Sequence, residues 1–419
     1  MAKINRLLIF GLVLRLLLLV VVNSHPDVGN HLDWGNRFWL YEAPSFYTAS
    51  TWSVSAPNQP FNTIYLFAII AGLKNILFSI TLFLNKNISI FPSSLVWILE
   101  TNLHVWLVKL PSILSDIGLS WLIYQIVSRY QPKLALIASS LFLFNPVVIY
   151  NSTFWGQTDS LINFFSLFGL WLAYNKKYFW GAFFFFLSFT FKMSLLIYLP
   201  LYLILLFKQK PNIISLLTNH LIVLAIFFVL TLPFSIGKNI LNWPISLYLH
   251  TVLGSQGNML SGNAYNLWFL PYGADIVRQS TPTQIITGSL LFLGFLIPLV
   301  IKYYFSKNTL NNLILVCFLT SFASFLFLTN MHERYLYPIF PLLPLLYSFN
   351  QHIFSIPKII TLSLLHWLNL YQLWYYPSIS PLKIFLESNS YLPGRIFTLI
   401  LFLFYAYFLI NYYQSDQKK

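Results

Sequence analysis

The sequence predicts an all-α, polytopic transmembrane helical bundle, and three features carry that prediction. Of 419 residues, 58% are hydrophobic and only 8% charged, at a mean hydropathy of +0.70, which leaves too little polar surface to clothe a water-soluble globule. Apolar runs of roughly 15–22 residues recur without strand-like alternation, which argues helices and excludes a β-barrel, because a lipid-exposed backbone must satisfy its own hydrogen bonds. The 24 basic side chains outnumber the 10 acidic ones and scatter at the ends of these runs. A net +14 distributed in that way sets membrane topology and does not form a nucleic-acid face.

No soluble domain, Gly-rich linker or internal repeat is visible, so residues 1–419 read as one integral membrane domain. The single cysteine, Cys317, lies in an apolar run, and neither a disulfide framework nor a thiol metal site is expected. The amino-terminal stretch has a basic start and an apolar core without a small-residue cleavage site, which predicts a retained helix over 7–22. Lys3 and Arg6 hold its start in the cytoplasm, placing loop 23–60 outside. In that loop Asp27/His31 and Asp33/Arg37 sit at helical i,i+4 spacing among Trp34, Phe38 and Trp39, as in a short amphipathic helix at the membrane surface.

Runs 61–84 and 88–108 either cross and return or lie in the outer interface, and the chain is expected outside again near Lys109. Run 110–127 then ends at Arg129 and Lys133, inside. Run 134–150 goes out, 151–160 turns, and 161–174 returns to Lys176-Lys177. A hairpin of 178–191 and 194–207 has basic, cytoplasmic ends, with Lys192 near its outer tip. Run 221–234 leads to a second external loop, 235–283. Runs 285–304, 310–328, 335–347, 359–373 and 396–410 complete about twelve crossings, or about fourteen if 61–108 spans, ending at cytoplasmic Lys418-Lys419. On this topology Asp27, Asp33, Glu42, Asp159, Asp275, Glu333 and Glu387 are all external, Glu100 and Asp116 are undecided, and only Asp416 is cytoplasmic. Acids contribute little to topology, so their one-sidedness points to a site.

Asp27 leads the candidates, because a carboxylate beside aromatic rings at a bundle mouth can take a hydroxyl proton, and partial burial raises its basicity. The plain alternative is a helix N-cap. Asp33 could serve equally, but Arg37 offers it a structural partner. At an outer helix end, Trp155 offers a flat face for a sugar ring, while Gln157 and Asp159 can hydrogen-bond hydroxyls; against this stand an aromatic-belt Trp and a capping Asp. His332, Glu333 and Arg334 fall together at a membrane boundary. Arg334 matches phosphate geometry, His332 adds a donor and Glu333 can orient either, the alternative being a charged helix end. Lys192 either snorkels or adds a second phosphate contact. Asn263 and Asn266, with Trp268, suit sugar binding, as they also suit a loop. Arg15 and Asp116 lie inside apolar runs with no local partner. There is no P-loop, no dinucleotide-binding glycine pattern and no metal-ligand spacing, so neither cofactor nor metal is expected.

At these residues the chain resembles the GT-C class of integral-membrane glycosyltransferases. Two branches are similar: prokaryotic relatives of the second mannosyltransferase of GPI-anchor assembly, and the dolichyl-phosphate-glucose glucosyltransferases of N-glycan assembly. Asp27 followed by Trp34 matches the acid and downstream Trp of the glucosyltransferase branch, and Asn58-Gln59-Pro60-Phe61 with Tyr65 is similar to the segment closing its first loop, with Phe61 in place of a proline. Lys109-Leu110-Pro111-Ser112 with Asp116, Asn145-Pro146, Trp155-Gly156-Gln157 with Asp159, and Asn263 to Trp268 look like runs of the mannosyltransferase relatives. Lys192 and His332-Glu333-Arg334 resemble segments of both. The resemblance implies an inverting transfer of a hexose, mannose or glucose, from a polyprenyl-phosphate donor to a lipid-linked or glycan acceptor on the non-cytoplasmic face. It implies Asp27 as base and Arg334, His332 and Lys192 at the donor phosphate. The compartment is a plasma membrane in a prokaryote and the endoplasmic reticulum in a eukaryote. The rival readings are a lipid-sugar flippase or transporter, which would use ionisable groups near the midplane, and a surface-glycan polymerase or ligase.

Overall fold

The structure, a computed structural model, describes residues 2–21, 23–254 and 259–414. Asp416 and Lys418-Lys419, expected in the cytoplasm, lie outside the described residues, as does the end of the first expected helix at residue 22. The fold is all-α. Helix α1 (Ala2–Val21) buries only Ile4, Gly11, Arg15 and Leu19, so one stripe packs and the remaining apolar surface faces outward. The loop after it carries α2 (Asp27–Phe46), the amphipathic helix predicted there, with a non-helical residue at Glu42 just before Pro44. Helices α3 (Phe61–Asn87) and α4 (Ser93–Tyr130) follow as a hairpin.

Here the structure departs from the predicted runs. Residues 88–108 and 110–127 are not separate elements: 93–130 is one 38-residue helix with Lys109 and Pro111 inside it. Lys109 does not break it because its ammonium is fully buried and bonded to carbonyls of other elements, including Asn23 just past α1. From Lys109 to Arg129 the rise is about 30 Å, one hydrocarbon thickness. The first third of α4 therefore lies beyond the level of Asn23, paired with α3.

Next come α5 (Ala135–Leu143), α6 (Pro146–Ile149) and a π-helical turn, Tyr150–Trp155. The helix expected over 134–150 is bent by 45°, where Pro146 lacks a donor and Asn145 caps the restart by accepting from Val147 N. Helices α7 (Asp159–Tyr174) and α8 (Tyr178–Phe191) form a tight hairpin, followed by a 3-10 turn (Met193–Tyr198), α9 (Leu199–Gln209), α10 (Ile213–Ser235) and α11 (Asn242–Ser246). The second long loop contributes β1 (Ser261–Gly262) and α12 (Phe269–Tyr272) before α13 (Pro282–Phe305) and α14 (Leu310–Phe327). Then follow β2 (Met331–His332), a 3-10 turn (Glu333–Leu336), α15 (Ile339–Phe349), α16 (Ile356–Tyr371) and α17 (Ser380–Gln414). Helix α14 is the central post, with 83% of its span buried.

Seven described helices are long and apolar enough to cross a membrane, eight if the bent pair counts as one span. The other expected crossings fall on α7, α8, α9, α15 and α16, none longer than 16 residues. They are shorter than the roughly 20 residues a straight span needs, and pack inside the bundle.

Arg15 and Asp116, without local partners in sequence, meet at 2.8 Å, both fully buried. Arg15 also donates to Leu143 O at 2.8 Å, and Asp116 accepts from Ser152 and Ser160, each at 2.6 Å. Removing one partner of such a pair strands a buried charge, so Arg15→Met is expected to cost about 3–5 kcal/mol, and Arg15→Met with Asp116→Leu to cost less than the two singles summed. Unfolding in detergent measures both; strictly additive losses would contradict direct pairing.

Candidate active site

Asp27 opens α2 as its first helical residue, not as an N-cap; Pro26 holds that position without a side-chain cap. Its Oδ2 accepts from Gln157 Nε2 at 2.7 Å and Trp155 Nε1 at 3.3 Å, and Arg334 Nη1 stands 3.7 Å away. His25, a residue the sequence reading missed, brings Nδ1 to 3.5 Å from Oδ1 and accepts from the Asp27 backbone N–H at 3.1 Å. The expectation that partial burial raises Asp27's basicity is corrected here. Burial does oppose its charge, but His25 and then Arg334 hold the carboxyl well below the usual carboxylate range. His31, at i+4, is not Asp27's partner; it stacks on Phe67 with centroids 4.2 Å apart, and burial lowers its imidazole to about 4.

Trp155 and Gln157 are delivered by the π-helical turn. Gly156 between them has φ +88°, and a Cβ there would lie 2.9 Å from Val28 Cγ2 and 3.0 Å from Lys109 Cγ, so only glycine fits. From α4, Lys109 donates to Thr153 O at 3.0 Å and Phe154 O at 2.9 Å, and Ser112 donates to Gln157 O at 2.5 Å. Trp155 does not present the free sugar-binding face expected of it. It is 3% exposed, with the His25 ring tilted against it at 4.2 Å and the Arg334 guanidinium 5.8 Å from its ring; its task in this arrangement is to donate to Asp27.

Asp159 is the first residue of α7, and its carboxylate does not cap: Lys192 donates to it at 2.6 Å and Asn151 at 3.2 Å. Lys192 thus does not snorkel, and its ammonium stands 5.2 Å from the Tyr335 ring centre. His332 reaches the site on β2, which pairs with β1 in parallel, Gly262 opposite His332. A Cβ on Gly262 would come within 2.5 Å of His332 Nδ1. Burial, then Arg334, lowers the His332 imidazole to about 3, so it is neutral at physiological pH. Glu333 lies 3.3 Å from Arg334 Nη1, yet burial pushes its carboxyl up to about 7. Arg334 stays charged because Asp27, Tyr335 and Glu333 outweigh burial. Its Nε has no hydrogen-bond partner among the described residues.

Three predicted residues stand apart. Asp33 accepts from Arg37 Nε at 2.6 Å and Ser53 N at 2.7 Å, bracing loop 23–60. Asn263, at φ 61°, donates to Asn369 O and Gln372 O, while Asn266 accepts from Trp268 N. Both are buried framework of the second loop. Two cavities flank Tyr335. One of about 90 Å³ includes Asp159, Asn163 and Arg334, and one of about 220 Å³ includes Gln59, Lys192 and Asn330. A larger one, about 410 Å³, opens between α5 and α16 on mostly Leu and Ile side chains, away from this chemistry.

The cluster joins a solvent-reachable carboxylate, a guanidinium with a donor to spare and two small clefts at the ends of apolar helices. The family model for ALG3 protein matches residues 156–249. That stretch includes Gln157, Asp159 and Lys192 but neither Asp27 nor Arg334. No curated protein matches the chain. With the apolar helices, the similarity supports an integral membrane glycosyltransferase.

The most sensitive point of the arrangement is the turn at Gly156. Gly156→Ala forces a strained φ and a clash, with an expected cost of roughly 1–3 kcal/mol. Thermal unfolding followed by tryptophan fluorescence tests this, and an unchanged midpoint would show that the turn accommodates a side chain.

Proposed function

We propose that the protein transfers a hexose, mannose before glucose, from a polyprenyl-phosphate donor to a lipid-linked or glycan acceptor at the non-cytoplasmic face of its membrane. The observation that carries this reading is the approach of Asp27 to Arg334 within 3.7 Å across the mouth of the bundle, from opposite ends of the chain. A proton acceptor and a phosphate-matching cation side by side are the two groups that an inverting displacement on a glycosyl phosphate requires.

In this mechanism Asp27 takes the proton of the acceptor hydroxyl as its oxygen bonds to the anomeric carbon. The bond from that carbon to the phosphate oxygen breaks, and the polyprenyl phosphate leaves with the electron pair. Arg334 holds the developing charge through Nη1 and the unpaired Nε, and neutral His332 adds a hydrogen bond. Lys192 contributes through its field, since its ammonium is already bonded to Asp159. When phosphate draws Arg334 away, Asp27 loses its nearest cation and its basicity rises, so the base strengthens once the donor is bound. Gln157 and Trp155 keep the carboxylate aimed throughout. The preference for mannose follows from the family match over residues 156–249.

Incubating the purified protein with polyprenyl-phosphate mannose or glucose and a lipid-linked glycan, and following release of free polyprenyl phosphate, tests the proposal. Asp27→Asn is expected to lower transfer by about 10²–10⁴-fold while donor binding persists; near-normal turnover would remove Asp27 from the role. Movement of labelled lipid-sugar across vesicles without product would favour a flippase instead. The pH dependence is equally specific. Glu333 is protonated below about 7 and charged above it, and once charged it competes with phosphate for Arg334. The donor KM is therefore expected to rise as pH increases from 6 to 8, and Glu333→Gln to flatten that rise; a slope that survives the substitution sinks this account.

A further inference from the structure

The cavity of about 220 Å³ beside Tyr335 is formed by three short segments: Asn58-Gln59-Pro60 ahead of α3, Lys192-Met193-Ser194 after α8, and Thr329-Asn330-Met331 after α14. Two of its amide oxygens, Gln59 Oε1 and Asn330 Oδ1, are shielded from solvent and have no hydrogen-bond partner among the described residues. Such orphans are costly unless something fills them. Both are held by backbone instead of side-chain bonds. Gln59 O accepts from Tyr47 Oη at 2.8 Å, and Pro60 follows it. Asn330 sits at φ 59°, with its N–H donated to Leu260 O at 3.1 Å. Each amide oxygen is left unspent on a residue that lines the cavity. Two unspent acceptors, with the one lining cation, Lys192, already bonded to Asp159, beside the aromatic ring of Tyr335 and the thioether of Met331, match neither a phosphate nor an alkyl chain. They match a ring that offers hydroxyl donors on its rim and C–H bonds on its face.

We propose that this cavity is a hexopyranose subsite in which Gln59 and Asn330 accept hydrogen bonds from ring hydroxyls while Tyr335 and Met331 cover a face of the sugar. The inference rests on the proposed function only in supposing that a lipid-borne sugar reaches this cleft. The ring belongs either to the donor or to the acceptor glycan, and its hydroxyl pattern is read by the two amides. Because Tyr335 directly follows Arg334, a sugar seated here adjoins the guanidinium without competing for it.

A thiol at the cavity wall tests this without relying on turnover. The chain's natural cysteine, Cys317, is 1% exposed, so in Gln59→Cys the introduced thiol is the reactive one. Its maleimide labelling is expected to slow about tenfold with saturating polyprenyl-phosphate mannose, or with lipid-linked glycan, relative to polyprenyl phosphate alone. Protection by the first assigns the ring to the donor, and by the second to the acceptor. Equal labelling under all three conditions, or equal protection by polyprenyl phosphate, overturns the subsite. Protection of Gln59→Cys, alongside a wild-type protein that transfers nothing, leaves the subsite standing and removes the transferase reading. Asn330→Gly supplies an independent check, since glycine keeps the positive φ while deleting the amide. The KM of the protecting substrate is expected to rise about tenfold with kcat nearly unchanged, and an unaltered KM overturns the role of Asn330.

Discussion

One buried carboxylate organises the molecule. Asp116, on α4, accepts from Arg15 on α1, Ser152 in the π-helical turn and Ser160 on α7, and Tyr337, just after the Glu333–Leu336 turn, lies 3.4 Å from it. Each of those four segments carries a site residue toward the outer end: Asp27 beyond α1, Trp155 and Gln157 beyond Ser152, Asp159 before Ser160, and Arg334 before Tyr337. An isolated carboxylate among hydrocarbon is prohibitively expensive, so the four contacts are obligatory for its charge. Meeting them fixes the relative heights of the segments above it.

A second tier of polar contacts above this one converts the registry into aim. Lys109 binds the carbonyls of Thr153 and Phe154, and Ser112 binds that of Gln157, so the turn bearing Asp27's two donors is held from α4. Lys192 and Asp159 neutralise each other close by. The outermost tier leaves some of its capacity unspent. Asp27 keeps a third of its side chain accessible, Arg334 has an unpaired Nε, and the amide oxygens of two cleft-lining residues, Gln59 and Asn330, have no partner among the described residues. At this cluster a polar ligand can supply what the protein does not.

Local chemistry made a good part of this readable in the residues. The helical class followed from composition, α2 from the i,i+4 spacing of Asp27/His31 and Asp33/Arg37, and the candidate site residues from ionisable groups placed where lipid makes them expensive. The misreadings share a cause. Lys109 was taken as a boundary because a lysine in an apolar run looks like an end, whereas carbonyls of remote segments solvate it within one long helix. Trp155 and Asn263 were taken as sugar contacts by residue type, and Trp155 Nε1 and Asn263 Nδ2 are each donated to internal acceptors. His25 carried no signal beyond standing two residues before Asp27, and the Asn330 amide lay beside the conspicuous HER triplet.

The sequence by itself determined the all-helical membrane architecture and singled out the candidate site groups, because burying charge in hydrocarbon costs so much that each ionisable residue must have a reason. Tertiary structure alone decided the partnerships: Arg15 with Asp116, Lys192 with Asp159, and Asp27 between Gln157 and Arg334. Those choices depend on helix registry and on which side chains are left unsatisfied, quantities set by contacts between segments that the chain order does not encode.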